Sequence, residues 1–515
     1  MSQSTADTAA MKSREDGTDA PTGVIASFRY AFSSPTRFRK EVLAGLAVAL
    51  ALIPEAISFS ILAGVDPRVG LYSSVVMAIA IAFTGGRPAM ITAATGAIAL
   101  VVAPLALEYG LDYLIAAVIL GGVFQVVLGL LGAARLQRFV PRSVMVGFVN
   151  ALGIMIFLAQ IPHLIDVPWL VYPLVAVGLL IMIFWPKLTS VIPAPLVTIL
   201  VLTPVVVLAA WNVPNVADMG ELPESLPELF IPDVPLTLET LQIIAPYALG
   251  VAVVGLMESL MTAKLVDDIT DVHSDKTRES WGQGIANIAS GFFGGMGGCA
   301  MIGQTMINVR QSGARTRLST LLAGVFLLIL MIALGDIVGL IPMAALVAIM
   351  IMVSVGTIDW HSVRPRTLKL MPLSETIVML VTVVATLATE NLAIGVALGV
   401  LTAMVMFARR VAHIVSIEKV DELVTDDGQV DTRTYRVHGQ LFWASSNDLV
   451  YRFDYNDTAE HIVIDLTAAE VWDASTVATL DAITQKYHEK GKTVSITGLD
   501  GASQERLDRL SGKLG

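Results

Sequence analysis

VLAGLAVALALIPEAISFSIL, residues 42–62, is a continuous apolar run broken by one ionisable side chain, Glu55, directly after Pro54. A straight helix crosses a bilayer in about 20 residues, so the run has spanning length. A second run, IIAPYALGVAVVGLMESLMTAKL at 243–265, carries Glu258 in its interior. An ionisable group in hydrocarbon costs several kcal/mol, roughly 2.5–3.5 on insertion scales, so each glutamate is a functional candidate. Each is followed by a glycine-broken apolar segment at nearly the same distance: forty residues from Glu55 to Thr95, forty-one from Glu258 to Cys299. Two such halves in register predict an internally repeated secondary transporter.

Composition supports a membrane protein and excludes much else. Hydrophobic residues make up 55% and charged residues 15% of the 515, with a mean hydropathy of +0.72, far from a soluble average. The single Cys299 excludes an intrachain disulfide and a cysteine metal cluster. No basic run points to nucleic acid, and no nucleotide loop or nucleophile triad points to an enzyme. Residues 1–23 are polar and read as a disordered leader rather than a signal sequence, with the leader ending near residue 28. The net charge of −11 comes largely from outer loops and the C-terminal region.

The hydropathy pattern predicts about fourteen spans, roughly 42–62, 70–83, 92–107, 113–131, 143–160, 169–185, 196–210, 243–265, 283–294, 301–311, 318–335, 337–355, 375–390 and 392–408. Placing the N-terminus inside puts Arg37, Arg39, Lys40, Arg87, Arg135, Arg138, Arg142, Lys187, Lys276, Arg278, Arg310, Arg315, Arg317, Arg364, Arg366, Lys369, Arg409 and Arg410 in inner loops. The outer loop 211–240 has no Lys or Arg, and Arg68 is the one clear exception. Both termini are therefore expected in the cytoplasm of a cell whose inner membrane holds the protein.

The transport domain is expected to cover 29–410 and a linker 411–432. Residues 433–515 read as a soluble α/β unit. Strands are expected at 434–442, 461–466 and 492–498, helices at 474–488 and 504–514, and a turn at Asp426-Asp427-Gly428.

Small and glycine residues precede a short apolar helix at 85–100 and again at 294–309. Irregular backbone at membrane depth is tolerated where it is buried in protein or lines a cavity. Two helices starting near the midplane would face each other with free N–H groups and positive dipole ends, which suits an anion. Thr95, Gly96 and Ala97 would line one end, and Ala300, Met301, Ile302, Gly303 and Gln304 the other. Glu258 and Thr262 lie one turn apart on a helix face. They could hold Na⁺, or Glu258 could carry a proton, since burial disfavours a charged carboxylate. Glu55 is the equivalent candidate in the first half. Against these stand plainer roles: a buried glutamate can bridge helices, and glycines let membrane helices approach. Asn287 and Asn308 read as interhelical hydrogen bonders. Lys264, Asp267, Asp268, Asp271 and Asp275 read as a solvated cytoplasmic helix end.

These residues resemble the sulfate permease (SulP) family of anion transporters. The resemblance runs through Ala44-Gly45, Ile53-Pro54-Glu55, Leu62-Ala63-Gly64-Val65-Asp66-Pro67, Gly70-Leu71-Tyr72 and Gln283-Gly284, Asn287, Gly291, Phe293-Gly294-Gly295. The tail is similar to a STAS domain at Val437-His438-Gly439-Gln440-Leu441-Phe442-Trp443-Ala444, Ile464-Asp465-Leu466-Thr467 and Asp473-Ala474-Ser475. The resemblance implies an all-α polytopic protein of fourteen spans in a seven-plus-seven inverted repeat. A core (spans 1–4 and 8–11) would move against a gate (5–7 and 12–14), in a homodimer. It also implies that Glu258 and Thr262 occupy a sodium site and that substrate binds between helices 3 and 10. Two departures stand out: Gln304 where many members have Arg, and Gly297-Gly298 where Pro is usual. Ser475, which is phosphorylated in some STAS relatives, is expected here to cap a helix.

The function expected is proton- or sodium-coupled anion symport by alternating access, for sulfate, bicarbonate or a dicarboxylate, with no cofactor beyond the coupling ion. An exchanger or channel of the same fold is the alternative, a nucleobase transporter or a tethered interaction protein less so.

Overall fold

The computed structural model describes residues 20–132, 135, 140–189, 192–223, 225–412, 415–424, 430–446 and 449–513. The chain divides into two compact units, Met1–Val400 and Leu401–Gly515. In the first, the helices are α1 (Val24–Phe32), α2 (Pro35–Leu62), α3 (Pro67–Thr84), α4 (Gly96–Tyr109), α5 (Leu111–Leu130), α6 (Arg142–Leu158), α7 (Val171–Leu188), α8 (Ala194–Leu208), α9 (Leu238–Thr270) and α10 (Lys276–Phe292). There follow α11 (Ile302–Met306, continued by a π turn at Ile307–Gln311), α12 (Arg317–Gly339), α13 (Met343–Thr357), the short α14 (Pro365–Leu370), α15 (Leu373–Thr389) and α16 (Leu392–Ala412), whose residues from Leu401 on belong to the second unit. Each of the fourteen expected spans falls on one of these helices, α1 and α14 apart. Eight are long and apolar enough to cross a membrane by themselves.

The helices pack in two groups. α2 lies against α3 and α12, α3 against α10, α5 against α9 and α10, and α4 against α9. Separately, α7 packs on α8 and α13, and α6 on α13 and α15. Glycines set the closest approaches: a side chain at Gly122 of α5 would stand 2.7 Å from the Gly284 carbonyl of α10, as small residues at membrane helix contacts predict.

At the centre of the first group, β1 (Thr92–Ala93) pairs antiparallel with β2 (Cys299–Ala300), Thr92 opposite Ala300 and Ala93 opposite Cys299. Buried backbone without regular partners is costly in hydrocarbon, and polar side chains from the surrounding helices answer it. Asn308 Nδ2 donates to the Ala89 carbonyl (2.7 Å), Thr320 Oγ1 to that of Met90 (3.1 Å), and the Ile91 amide donates to Thr305 Oγ1 (3.0 Å). Ser74 Oγ accepts from the Ala94 amide at 3.2 Å. In the second half, Ser73 Oγ donates to the Gly297 carbonyl (2.8 Å), and Ser259 Oγ accepts from the Ala300 amide (3.1 Å). Asn287 holds Gly298 at both ends, accepting from its amide (2.9 Å) and donating to its carbonyl (3.1 Å). Gly297 has φ +73°, a left-handed conformation that a proline cannot take. The glycine pair is thus what this backbone path requires.

Four expectations are corrected. Residues 24–28, expected in the leader, begin α1, whose Ser27 hydroxyl accepts from the Arg317 amide (3.1 Å). The charged run after Glu258 is exposed at Lys264, Asp268, Asp271 and Asp275 as expected, but not at Asp267. Asp267 is paired with Arg87 (3.2 Å) and Lys276 (2.7 Å), and Arg87 is itself buried, because a charge inside protein needs a partner. The linker 411–432 contains a strand. Ser475 is exposed and does not cap its helix; Asp473 does, accepting from the Thr476 amide at 3.0 Å. Arg68, the exception to the charge pattern, is paired with Glu221 (2.5 Å). Arg138 and the turn at Asp426-Asp427-Gly428 lie outside the described residues.

The second unit is a four-stranded sheet of β3 (Ser416–Val424), β4 (Val430–Leu441), β5 (His461–Val471) and β6 (Thr493–Thr497), in that spatial order. β3 and β4 are antiparallel; β4, β5 and β6 are parallel. The parallel connections carry helices: α17 (Trp443–Ser446) between β4 and β5, α18 (Ala474–His488) between β5 and β6, then a last helix α19 (Gly501–Leu510). Tyr435, Val437, Ile462, Ile464, Leu480 and Tyr487 are among its core residues. Asp457 is buried against Arg433 (3.0 Å), Tyr435 Oη (3.1 Å) and Lys419 (2.8 Å). Burial by itself would raise this carboxyl, but the hydrogen bonds from Lys419, Arg433, the Ala459 amide and Tyr435 outweigh it and hold it well below the usual carboxylate range.

Candidate functional site

The strand pair fixes where two helices start. Thr95, immediately after β1, caps α4 by accepting from the Ile98 amide at 3.4 Å, which leaves the first amides of α4, at Gly96 and Ala97, without a carbonyl one turn behind them. Met301, immediately after β2, is held by its amide on the Ile91 carbonyl (2.8 Å), and α11 starts at Ile302. The antiparallel register therefore aims both helix starts into the same space.

That space is a cavity of about 350 Å³. Thr95, Gly96 and Ala97 line it from one side and Met301, Ile302, Gly303 and Gln304 from the other. Glu55 of α2 and Glu258 of α9 line it too, each less than a tenth exposed. α6 supplies Phe148, Val149, Leu152 and Ile156, and α13 supplies Val353, Gly356 and Thr357, so the wall is mostly apolar. No Lys, Arg or His is among the described lining residues.

Polar contacts knit the two halves behind this wall. Cys299 Sγ donates to Glu258 Oε2 at 2.7 Å and lies 3.1 Å from Thr95 Oγ1. The helix cap of one half, the thiol of β2 and the buried carboxylate of α9 thus form one chain of hydrogen bonds. Gln304 and Glu55 share the cavity wall. Thr262 donates to the backbone carbonyl of Glu258 (2.8 Å) and reaches the Ala300 carbonyl at 3.5 Å.

Of the residues singled out from sequence, Glu55, Thr95, Gly96, Ala97, Glu258, Met301, Ile302, Gly303 and Gln304 meet at the cavity. Ala300 sits in β2, fully buried behind the wall. Thr262 lies behind the wall as well; its hydroxyl serves the Glu258 backbone and Ala300 rather than the Glu258 carboxylate. A sodium ion there would have the Thr262 hydroxyl and the Ala300 carbonyl as oxygen donors, with Glu258 one turn away. Among the described residues no three His, Cys, Asp or Glu side chains cluster as a metal site. The residues sequence reading missed are Cys299, which served only as a distance marker, and the apolar wall from Phe59, α6 and α13. Nothing in the sequence separates those apolar side chains from lipid-facing ones. Asn287 was read as a bridge between helices, and it bridges Gln125 (2.8 Å) as well as Gly298.

Comparison with known proteins adds to this geometry. The profile of the sulfate permease family matches residues 38–171 and 165–382, and that of the STAS domain matches 423–512. YbaR of Bacillus subtilis (strain 168), provisionally named a sulfate transporter, is 51% identical over 473 residues, 92% of this chain and 97% of YbaR. The bicarbonate transporter BicA of Picosynechococcus sp. is 26% identical over 521 residues, 92% of this chain and 90% of BicA. Among solved structures, the murine anion transporter Slc26a9 in its inward-facing state superposes with a TM-score of 0.79 at 16% identity, covering 95% of this chain and 90% of that one. At that identity the likeness is one of fold.

Proposed function

The chain belongs to the sulfate permease family of membrane anion transporters, and from that premise we propose that it takes up a small oxyanion, sulfate before bicarbonate, coupled to cation entry at Glu258. The observation that carries the reading is the meeting of two helix starts and two buried glutamates on one cavity without a basic side chain. Helix-start amides offer an anion hydrogen bonds and a favourable dipole without a formal charge. An ionised glutamate beside it does the opposite. At an effective dielectric of about 20, two unit charges about 4 Å apart repel by about 4 kcal/mol. A proton or sodium ion on Glu258 removes that repulsion, so cation and anion bind in support of each other, which is the thermodynamic basis of symport. Sulfate is preferred because YbaR, named for sulfate, is 51% identical, against 26% for the bicarbonate transporter.

In this reading α2–α5 and α9–α12 form the mobile core, and α6–α8, α13, α15 and α16 the gate. Because the cavity is lined from both groups, sliding one past the other would open it to either side in turn. The protein is assigned to the cytoplasmic membrane as a homodimer, with both termini and the STAS domain in the cytoplasm. The test is uptake of sulfate, bicarbonate and fumarate into proteoliposomes under inward proton or sodium gradients. Gradient-dependent uptake of one anion, lost in Glu258→Gln, is expected. Uptake that ignores both gradients in tight vesicles would replace symport by exchange or channel conduction.

A further inference from the structure

We propose that Glu55 and Glu258 each load one cation per transport cycle, so that a dianion crosses with two cations and no net charge. The inference rests on the reading of the cavity as the anion site and adds its charge stoichiometry. Both carboxylates line the same space, Glu55 from α2 and Glu258 from α9. They are 7% and 9% exposed, so bulk water does little to screen them. Their polar neighbours are neutral: the Gln304 amide for Glu55 and the Cys299 thiol for Glu258. The buried acid–base network of Arg87 with Asp267 and Lys276 contributes no residue to the cavity wall. Among the described lining residues no fixed positive charge balances either glutamate, and a loaded anion would sit beside two like charges. Cations that arrive with the substrate would neutralise the charge in this cavity.

The bookkeeping is direct. With both carboxylates loaded, two positive charges accompany the substrate. Sulfate then moves with net charge zero and bicarbonate with net charge of plus one. Removing the Glu55 carboxylate leaves sulfate moving with one cation and a net charge of minus one. Glu55 becomes a second coupling group, because a glutamate that merely bridged helices would leave the charge per cycle unchanged.

The experiment uses the full-length protein in proteoliposomes, with membrane potential clamped by potassium and valinomycin and tracer uptake of sulfate and bicarbonate measured in parallel. Expected for the wild type is sulfate uptake indifferent to potential and bicarbonate uptake accelerated by an inside-negative potential. Expected for Glu55→Gln is sulfate uptake that an inside-positive potential accelerates severalfold. Wild-type sulfate uptake that responds to potential overturns the proposal, as does potential-independent sulfate uptake by Glu55→Gln. Should that variant fail to transport, the wild-type sulfate and bicarbonate responses decide alone. Absence of counterflow of either anion in the wild type would overturn the transport reading itself and the stoichiometry with it.

Discussion

One methyl group at Gly298 tests whether the strand pair positions the site. A Cβ built there lies 1.9 Å from the Ala93 carbonyl oxygen, 2.6 Å from its carbon and 3.0 Å from Ala94 Cα. Carbon and oxygen in contact stay about 3.3 Å apart. The strands must therefore part by roughly 1.4 Å, and the obstructing atoms are backbone with no rotamer to yield. Four of the bonds at the crossing tie β2 and Met301 to their neighbours: Cys299 to Glu258 at 2.7 Å, Cys299 to Thr95 at 3.1 Å, the Ala300 amide to Ser259 at 3.1 Å, and the Met301 amide to the Ile91 carbonyl at 2.8 Å. Lengthened by about 1 Å, most pass the limit of a hydrogen bond. Losing about three buried bonds at about 1–1.5 kcal/mol each costs about 3–4 kcal/mol. Gly298→Ala should accordingly lower Tm in detergent by several degrees and anion uptake by about 100-fold or more. Gly303→Ala is the control. Nothing lies within 4 Å of its Cβ, so Tm should hold. Wild-type Tm and uptake in Gly298→Ala would refute the claim that the crossing sets the site.

Asn287→Leu should destabilise the protein by about 3–5 kcal/mol, because Gln125 and both backbone groups of Gly298 lose their partner in a buried place. Scanning fluorimetry checks this, and an unchanged Tm would sink it. In the STAS domain, the Asp457 carboxyl is depressed in the folded state from about 3.9 in an unfolded chain. Its contribution is complete above about pH 5 and is lost as pH falls through the lower, folded value. Asp457→Asn should cost about 3 kcal/mol at neutral pH, the low end for a broken buried pair because Lys419 stays half-exposed. Hydrogen exchange of β4 and β5 amides in the full-length protein should then lose part of its acid dependence; identical acid profiles would contradict the assignment.

Glu55 and Glu258 were legible because a charge in an apolar run has few innocent explanations. The two helix starts were legible because glycine in hydrocarbon marks broken backbone. The family's motifs supplied the topology that periodicity alone would not have given. What stayed hidden depends on partners far away in the chain. Asp267 looked solvated because Arg87, its partner, lies about 180 residues earlier. Ser73, Ser74, Thr305 and Thr320 looked like ordinary small polar residues in helices, yet each answers a backbone group of the crossing. β3 escaped notice because SIEKVDELV mixes charged and apolar residues, as an edge strand of the sheet can. Ser475 was credited with a cap that Asp473, two residues earlier, supplies with the stronger acceptor.

The pairing of β1 with β2 also dictates an order of manufacture. About two hundred residues separate the strands, which at ribosomal speeds is roughly 10–40 s of synthesis. Throughout that interval Thr92 and Ala93 have been inserted while their partners do not yet exist. Bare peptide groups in hydrocarbon cost several kcal/mol apiece. The nascent first half must therefore keep a wet seam or borrow cover from the insertion machinery until Cys299 and Ala300 arrive. A first half made alone would be a ready substrate for membrane proteases, and supplying the second half as a separate chain should rescue it.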